Sequence, residues 1–213
     1  MAPTLAEIHV ADDPQLWQEL GFRVEGDRCR MRSIDVVLTG EGSRRGIHAW
    51  GWRDSDGPAI DGVPAHRVSR EVAGDHEPHP NGCVGLFYVV LMGPSWDAAA
   101  DALATIGLDP GDARPMGDPE RPTLRSLAAA GDVHIEVIGP PEPDPSRAWN
   151  LWGSIIETTD IDATAAHLGD RLRPVKPAVQ RGRRIATLDR AAGSSAAIAF
   201  MGPQEDGPPS TGT

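Results

Sequence analysis

The chain has 213 residues, room for one large or two small compact units, and its 39% hydrophobic and 24% charged content is a globular balance that argues against wholesale disorder. A formal charge of −11 opposes an extended phosphate-binding face, so nucleic acid is not expected as a partner. No run approaches the roughly 18 apolar residues of a membrane span, and MAPTLAEIHV lacks the basic start and apolar stretch of a secretory leader; no membrane partner and a cytoplasmic home are the expectations.

In chain order, LAEIHVADDPQLWQELGF (residues 5–22) reads as a strand turning into a short helix, with Asp12 or Asp13 as N-cap and Pro14 at a favoured early position. RCRMRS and IDVVLTG follow as strands, and GIHAWGWR (46–53) reads as an added strand, the relic of a fourth repeat. Residues 54–82 hold Gly, Pro, Asp and His without sustained periodicity, the composition of a linker or long surface connection. Within them, Asp75, His76, Glu77 and His79 have a spacing that can grip a metal, but Pro78 and Pro80 favour an extended solvent loop.

GLFYVVLMGPSWDAAADALATIGL (85–108) gives a strand and helix, RPTLRSLAAAG a middle strand, and VHIEVIGP a closing one. NLWGSIIETTDIDATAAHLGDRL (150–172), RRIATLDRAAG and AAIAFMGP repeat that order, with Asp160 as N-cap. The closing glycines are Gly40, Gly139 and Gly202. The cluster RGRR (181–184) reads as a solvated turn, and the tail from residue 204 as disordered. Cys29 and Cys83 look like ordinary small hydrophobes rather than a disulfide framework. No GxSxG, P-loop, dinucleotide fingerprint or paired CxxC occurs, and those chemistries lose their usual support.

A strand, a helix and three more strands, repeated, resembles the βαβββ module of the vicinal-oxygen-chelate superfamily, which includes glyoxalase I, extradiol dioxygenases and bleomycin-resistance proteins. The motifs YVVLMGPSWDAAADAL, IETTDIDATAAHLGDRL, EVIGP and AFMGP carry the resemblance. It implies an α+β fold in which repeated modules form a curved mixed sheet around a cavity with helices outside. Residues 1–53 would be a degenerate first module plus the extra strand, 54–82 a linker, 83–203 the paired second and third modules, and 204–213 a tail. A first module without a full partner leaves a homodimer open.

Strand side chains alternate between faces, so parity sorts each strand into a helix-packed set and a cavity set. In VHIEVIG, Val133, Ile135 and Val137 share one face, leaving His134, Glu136 and Ile138 on the other. In the first strand Ala6, Ile8 and Val10 would lie under the helix, with Glu7 and His9 inward; Glu157 is placed inward on a weaker pattern. Tyr88 shares a face with Val90 and Met92. Parity also puts His48, Trp50 and Trp52 together, as packing or as the lining of a second pocket, while His66 and His167 read as a linker residue and a helix-surface residue.

Metal-binding members of the superfamily place a His early in a module's first strand and a Glu in its last. Here Glu136 matches that Glu, but Tyr88 stands at the His position of its module; Gly153 and Ala199 stand at the pair in the third module, Leu5 and Val37 in the first. An inherited four-ligand metal is therefore not expected and no cofactor is predicted, although a rearranged divalent site of His134, Glu136 and another histidine stays open. The leading expectation is a glyoxalase-like isomerase, lyase or hydrolase holding a small organic molecule in an apolar cup, with Glu136 as general acid or base and Tyr88, His134, His9 and Glu157 as ligand-binding groups. The alternative is a non-catalytic protein of the same fold that sequesters its ligand. A third reading makes the chain an assembly partner through its Trp-rich strand.

Overall fold

The structure, a computed structural model, describes residues 2–40, 42, 44–69, 77–120 and 122–204. The first module runs β1 (Thr4–Val10), α1 (Pro14–Glu19), β2 (Val24–Glu25), β3 (Arg28–Met31) and β4 (Ile34–Leu38). Two further strands follow, β5 (Ile47–Arg53) and β6 (Ala65–Arg67). The second module is β7 (Cys83–Met92), α2 (Trp96–Ala104), β8 (Arg114–Met116), β9 (Thr123–Ala130) and β10 (Val133–Gly139). The third is β11 (Asn150–Thr158), α3 (Ile161–Leu168), β12 (Lys176–Pro177), β13 (Arg184–Thr187) and β14 (Ala197–Met201).

Each helix starts where a side chain satisfies amides that no helical carbonyl can reach. Asp13 accepts from Gln15 N with Pro14 behind it, Ser95 from Ala98 N, and Asp160 from Asp162 N and Ala163 N. Asp12, the other candidate cap, is buried and accepts instead from the Trp17 indole at 3.0 Å and from Ser195 N at 2.7 Å, tying the first module to the third.

In every module the first strand pairs parallel with the last, β1 with β4, β7 with β10 and β11 with β14. The modules join through antiparallel first strands: β7 pairs β11, and β1 pairs β5 in the same sense. GIHAWGWR thus occupies the place of a partner module's first strand. Among the described residues the result is one mixed sheet of 14 strands in an α+β fold, curved and unclosed, whose two halves meet where Leu151 of β11 pairs Ile47 of β5.

Residues 54–69 do more than connect. They carry β6, which adds parallel to β5, and they bury Ile60, Val63 and Val68; this stretch lacks periodicity because a three-residue strand is too short to display any. Asp75 and His76 lie outside the described residues, as does the expected tail from 205 onward. His79 is not a solvent-loop residue: it is 7% exposed, its Nδ1 accepts from Arg23 N at 3.0 Å, and its Nε2 lies 3.1 Å from the Arg30 carbonyl. The flanking prolines hold an extended segment, but one wedged against β3 rather than projecting into solvent.

The core forms where the helix-facing sides of the strands meet. Val133, Ile135 and Val137 of β10 pack with Ala99 and Leu103 of α2, while Trp17 and Phe22 of the first module stack toward Phe200 of β14. Gly139 lies so close under α2 that a Cβ there would run into the backbone of Ser95 and Trp96. Gly139→Ala is expected to lower stability by about 1–3 kcal/mol, because backbone rather than a flexible side chain must yield; urea unfolding measures it.

Cys29 and Cys83 are free and fully buried, and burial pushes both thiols well above the ordinary range. Neither is expected to react with an aromatic disulfide reagent in the native state at mildly alkaline pH, whereas both react once guanidinium unfolds the chain. Prompt reaction of the native protein would contradict this packing.

Candidate functional site

Val133, Ile135 and Val137 of β10 are at most 1% exposed; on the other side His134 and Ile138 are half-buried, and Glu136 between them is buried. Register brings neighbours onto that open face. His134 lies beside Tyr88 of β7 and Ala129 of β9, Glu136 beside Val90 and Leu127, and Ile138 beside Met92 and Arg125.

Glu136 is 8% exposed, and its Oε1 accepts from Nε of Arg125, one diagonal step away on β9. A carboxylate removed from water needs such a partner, so the apolar cup expected from sequence is an incomplete account of the surroundings of Glu136. The signal lay in AAAGDVHI: Gly131 takes a positive φ of 79° in a two-residue turn, pairing Ala130 with Val133, and counting back from that pair puts Arg125 diagonal to Glu136.

The Nδ1 of His134 is buried and has no hydrogen-bond partner among the described residues. Tyr88 is 4% exposed, with the Gln180 amide 3.5 Å from its hydroxyl. Between Ile155 and Ile156 of β11 the register of β7 slips by one, inserting Phe87 as a bulge. Its ring thereby stacks on Tyr88 at 4.3 Å, stands edge-on to His134 at 5.9 Å, and receives the Arg183 guanidinium at 4.6 Å. Arg183 therefore does more than sit in a solvated turn. Glu157 reaches this face only through Arg183, 3.5 Å away; its other partner is Arg32 of the first module at 3.1 Å.

His9 belongs to a second cluster, on the open face of β1. Glu7 is 5% exposed, Arg28 of β3 donates to its Oε1 at 2.7 Å, and its Oε2 lies 3.4 Å from both His9 Nε2 and His66 Nε2. Burial alone would raise the Glu7 pKa, but contacts with His9, Arg28 and His66 and the Arg28 charge outweigh it and lower it to about 2. Arg28 also reaches Asp35 of β4 at 3.3 Å.

His66, read from sequence as a linker residue, is thus a strand residue facing Glu7 across β5. Gly51 opens the gap between them: a Cβ there would stand 2.9 Å from His66 Nε2 and 3.1 Å from the Glu7 Cβ. An isolated glycine inside a strand pattern was the available signal. His48 departs from parity as well. Trp50 and Trp52 are buried in the core, but a bulge between His9 and Val10 leaves His48 unpaired and turns its ring toward His9, 6.1 Å away, with Thr39 Oγ1 at 3.0 Å from Nε2. Burial first, then the charges of Arg44 and His9, hold His48 below the ordinary imidazole range.

The structure resembles 4-hydroxymandelate synthase from Streptomyces coelicolor, in a triple-mutant form, at 13% identity and a TM-score of 0.62, over 96% of this chain and 94% of that one. It also resembles a fusion of a xylose isomerase-like TIM barrel with 4-hydroxyphenylpyruvate dioxygenase at 11% identity and a TM-score of 0.57, over 98% of this chain and 50% of that one. Methylmalonyl-CoA epimerase from Mycobacterium tuberculosis aligns with 60% of this chain and 93% of its own at a TM-score of 0.47 and 15% identity. No protein-family model and no curated protein matches the sequence. The chain has the vicinal-oxygen-chelate fold.

That fold's four-ligand metal does not fit the expected positions here. Tyr88 and Glu136 occupy one pair, and Arg125 already engages the carboxylate of Glu136. At Gly153 a Cβ would strike the Ala197 carbonyl, leaving no room for a ligand side chain, and Ala199 offers no donor. Among the described residues no third His, Cys, Asp or Glu joins His134 and Glu136 in a metal-sized group; Glu7, His9 and His66 do form one.

Arg125→Ala strands the Glu136 carboxylate and is expected to destabilise by about 1–3 kcal/mol. Arg125→Met combined with Glu136→Leu recovers most of that loss. Chemical denaturation of the double variant and of Arg125→Met and Glu136→Leu singly measures the coupling; a double-variant loss equal to the sum of the two single losses would show the pair to be uncoupled.

Proposed function

We propose that the chain takes up a small organic molecule on the open face of β7, β10 and β9, and that Glu136 moves a proton of that molecule. The observation that carries this reading is a nearly buried carboxylate on an otherwise half-open apolar face, two residues from an imidazole nitrogen with no partner among the described residues. Phe87 and Tyr88 offer stacking surface to a planar or apolar part of the ligand, while His134 and the Tyr88 hydroxyl orient its polar part. Arg125 acts as a positioning residue that fixes the Glu136 carboxylate against β9. The fitting reaction class is proton abstraction next to a carbonyl or a proton-assisted elimination, within the range of isomerases and lyases.

The Arg125 contact also favours a second reading. A carboxylate already matched by a guanidinium can serve as a fixed acceptor in a binding protein that performs no chemistry. The two readings separate on recovered ligand: calorimetry finds a binder within a panel of small carboxylic acids and thioesters with and without an acidic C–H, and mass spectrometry then reports whether it has changed.

For a converted substrate, Glu136→Gln is expected to lower kcat by about 100-fold or more with a smaller change in KM, the scale of a lost acid–base group. Wild-type rates in the Gln variant would remove Glu136 from the chemistry. Tight binding with the ligand recovered intact from both proteins would establish the binding protein instead.

A further inference from the structure

We propose that Glu7, His9 and His66 form a binding site for a divalent first-row transition ion, with one carboxylate oxygen and two imidazole nitrogens as ligands. The site lies on the first half of the sheet and does not depend on the role given to Glu136.

Three strands build it. Glu7 and His9 stand two apart on β1 and so share a face, and register carries Glu7 across Gly51 of β5 to His66 of β6. Because Gly51 lacks a side chain, the third ligand can come from a strand that is not β1's direct neighbour. These are not the positions the superfamily uses, which in this module fall on Leu5 and Val37.

The distances suit a ligand set. Both His Nε2 atoms lie 3.4 Å from the same Glu7 Oε2, long for N–H···O hydrogen bonds, which centre on about 2.9–3.0 Å. Around an ion with metal–ligand bonds of about 2.0–2.1 Å, the edge of a tetrahedron is about 3.3–3.4 Å. All three donor atoms lie within 4.8 Å of one another.

Glu7 divides its two oxygens. Oε1 receives Arg28, itself placed by Asp35, and Oε2 is the oxygen that faces the imidazoles. Arg28 thereby holds the carboxylate in one orientation, as outer partners do at metal centres. The cluster is buried at Glu7 and open at the histidines, whose side chains are 22% and 42% exposed. Three protein ligands with an open side leave a coordination position for water or a small anionic ligand. Two imidazoles and a carboxylate suit zinc, cobalt, nickel or ferrous ions better than magnesium or calcium, which prefer all-oxygen shells.

Titration of the chelator-treated full chain with cobalt(II), followed by visible absorption, tests the site, with zinc competition as a second readout. One equivalent is expected to bind with the intense bands of a four- or five-coordinate ion, and zinc to displace it. His9→Ala and His66→Ala, each shown to be folded by circular dichroism, should lose affinity by at least the roughly 100-fold that loss of an outer-shell partner alone can cost. His167→Ala, on the exposed surface of α3, should retain it. Gly51→Ala offers a second route, since it keeps all three ligand residues while its Cβ crowds Val68 and the His66 ring; in a variant shown to be folded by circular dichroism it should weaken binding and remove the metal-induced rise in Tm. Absence of binding, or binding unchanged in the His9 and His66 variants, would overturn the proposal and leave a hydrogen-bonded cluster.

Discussion

A carboxylate brought onto the inner side of this sheet must be met by a guanidinium, and that requirement organises both of its halves. Transfer of an ionised carboxyl out of water is costly unless charge and hydrogen bonds replace the lost hydration. Glu7 is met by Arg28, Glu136 by Arg125, and Glu157 by Arg32 and Arg183. In the first two cases the arginine comes from another strand of the same module, so the pairing is built into the module's own register. In the third, Arg183 comes from the same module while Arg32 bridges modules and ties the first module's β3–β4 turn to the third. The charged groups of the open faces are consequently held in fixed geometry rather than dispersed in solvent.

The same economy explains why departures from strand regularity fall on the open faces. The bulge at Phe87 delivers an aromatic ring beside Tyr88 and His134, and the bulge opposite His9 and Val10 delivers His48 beside His9. A regular strand would have sent each of these rings to the helix side, where the core is already filled by Leu86, Val89, Trp50 and Trp52. Gly51 acts by subtraction, removing the side chain that would have kept Glu7 and His66 apart. On β10, whose pairing shows no register shift, Val133, Ile135 and Val137 keep strict alternation under α2, because a one-residue slip there would expose the whole apolar set.

Much of this was legible in the sequence, and the boundary of legibility is physical. Alternation in VHIEVIG placed His134 and Glu136 together because one apolar set, Val133, Ile135 and Val137, had a single helix to cover it. The repeat in strand ends and helix caps gave the α+β module order, and the weak polar-apolar contrast of GIHAWGWR still marked an added strand. Bulges escaped because they alter parity without altering composition. His66 escaped because a three-residue strand has no period to detect, and His79 because proline-flanked segments look the same in sequence whether they cross solvent or wedge against a sheet.

The two open faces differ in how their polar groups are balanced, and this sets what each can bind. Around Glu136 the carboxylate has its guanidinium, the nearest imidazole presents an unsatisfied nitrogen, and aromatic rings complete the wall. The ligand proposed for this face would satisfy the imidazole with a polar group and stack on the rings. Around Glu7 one oxygen is spent on Arg28, while the other is approached by two imidazole nitrogens at equal distance. This meeting of one carboxylate oxygen with two imidazoles is the geometry on which the proposed cation site rests. The division follows from residue choice at neighbouring strand positions, with aromatics flanking His134 and glycine flanking Glu7, so one repeated architecture presents two chemically distinct faces.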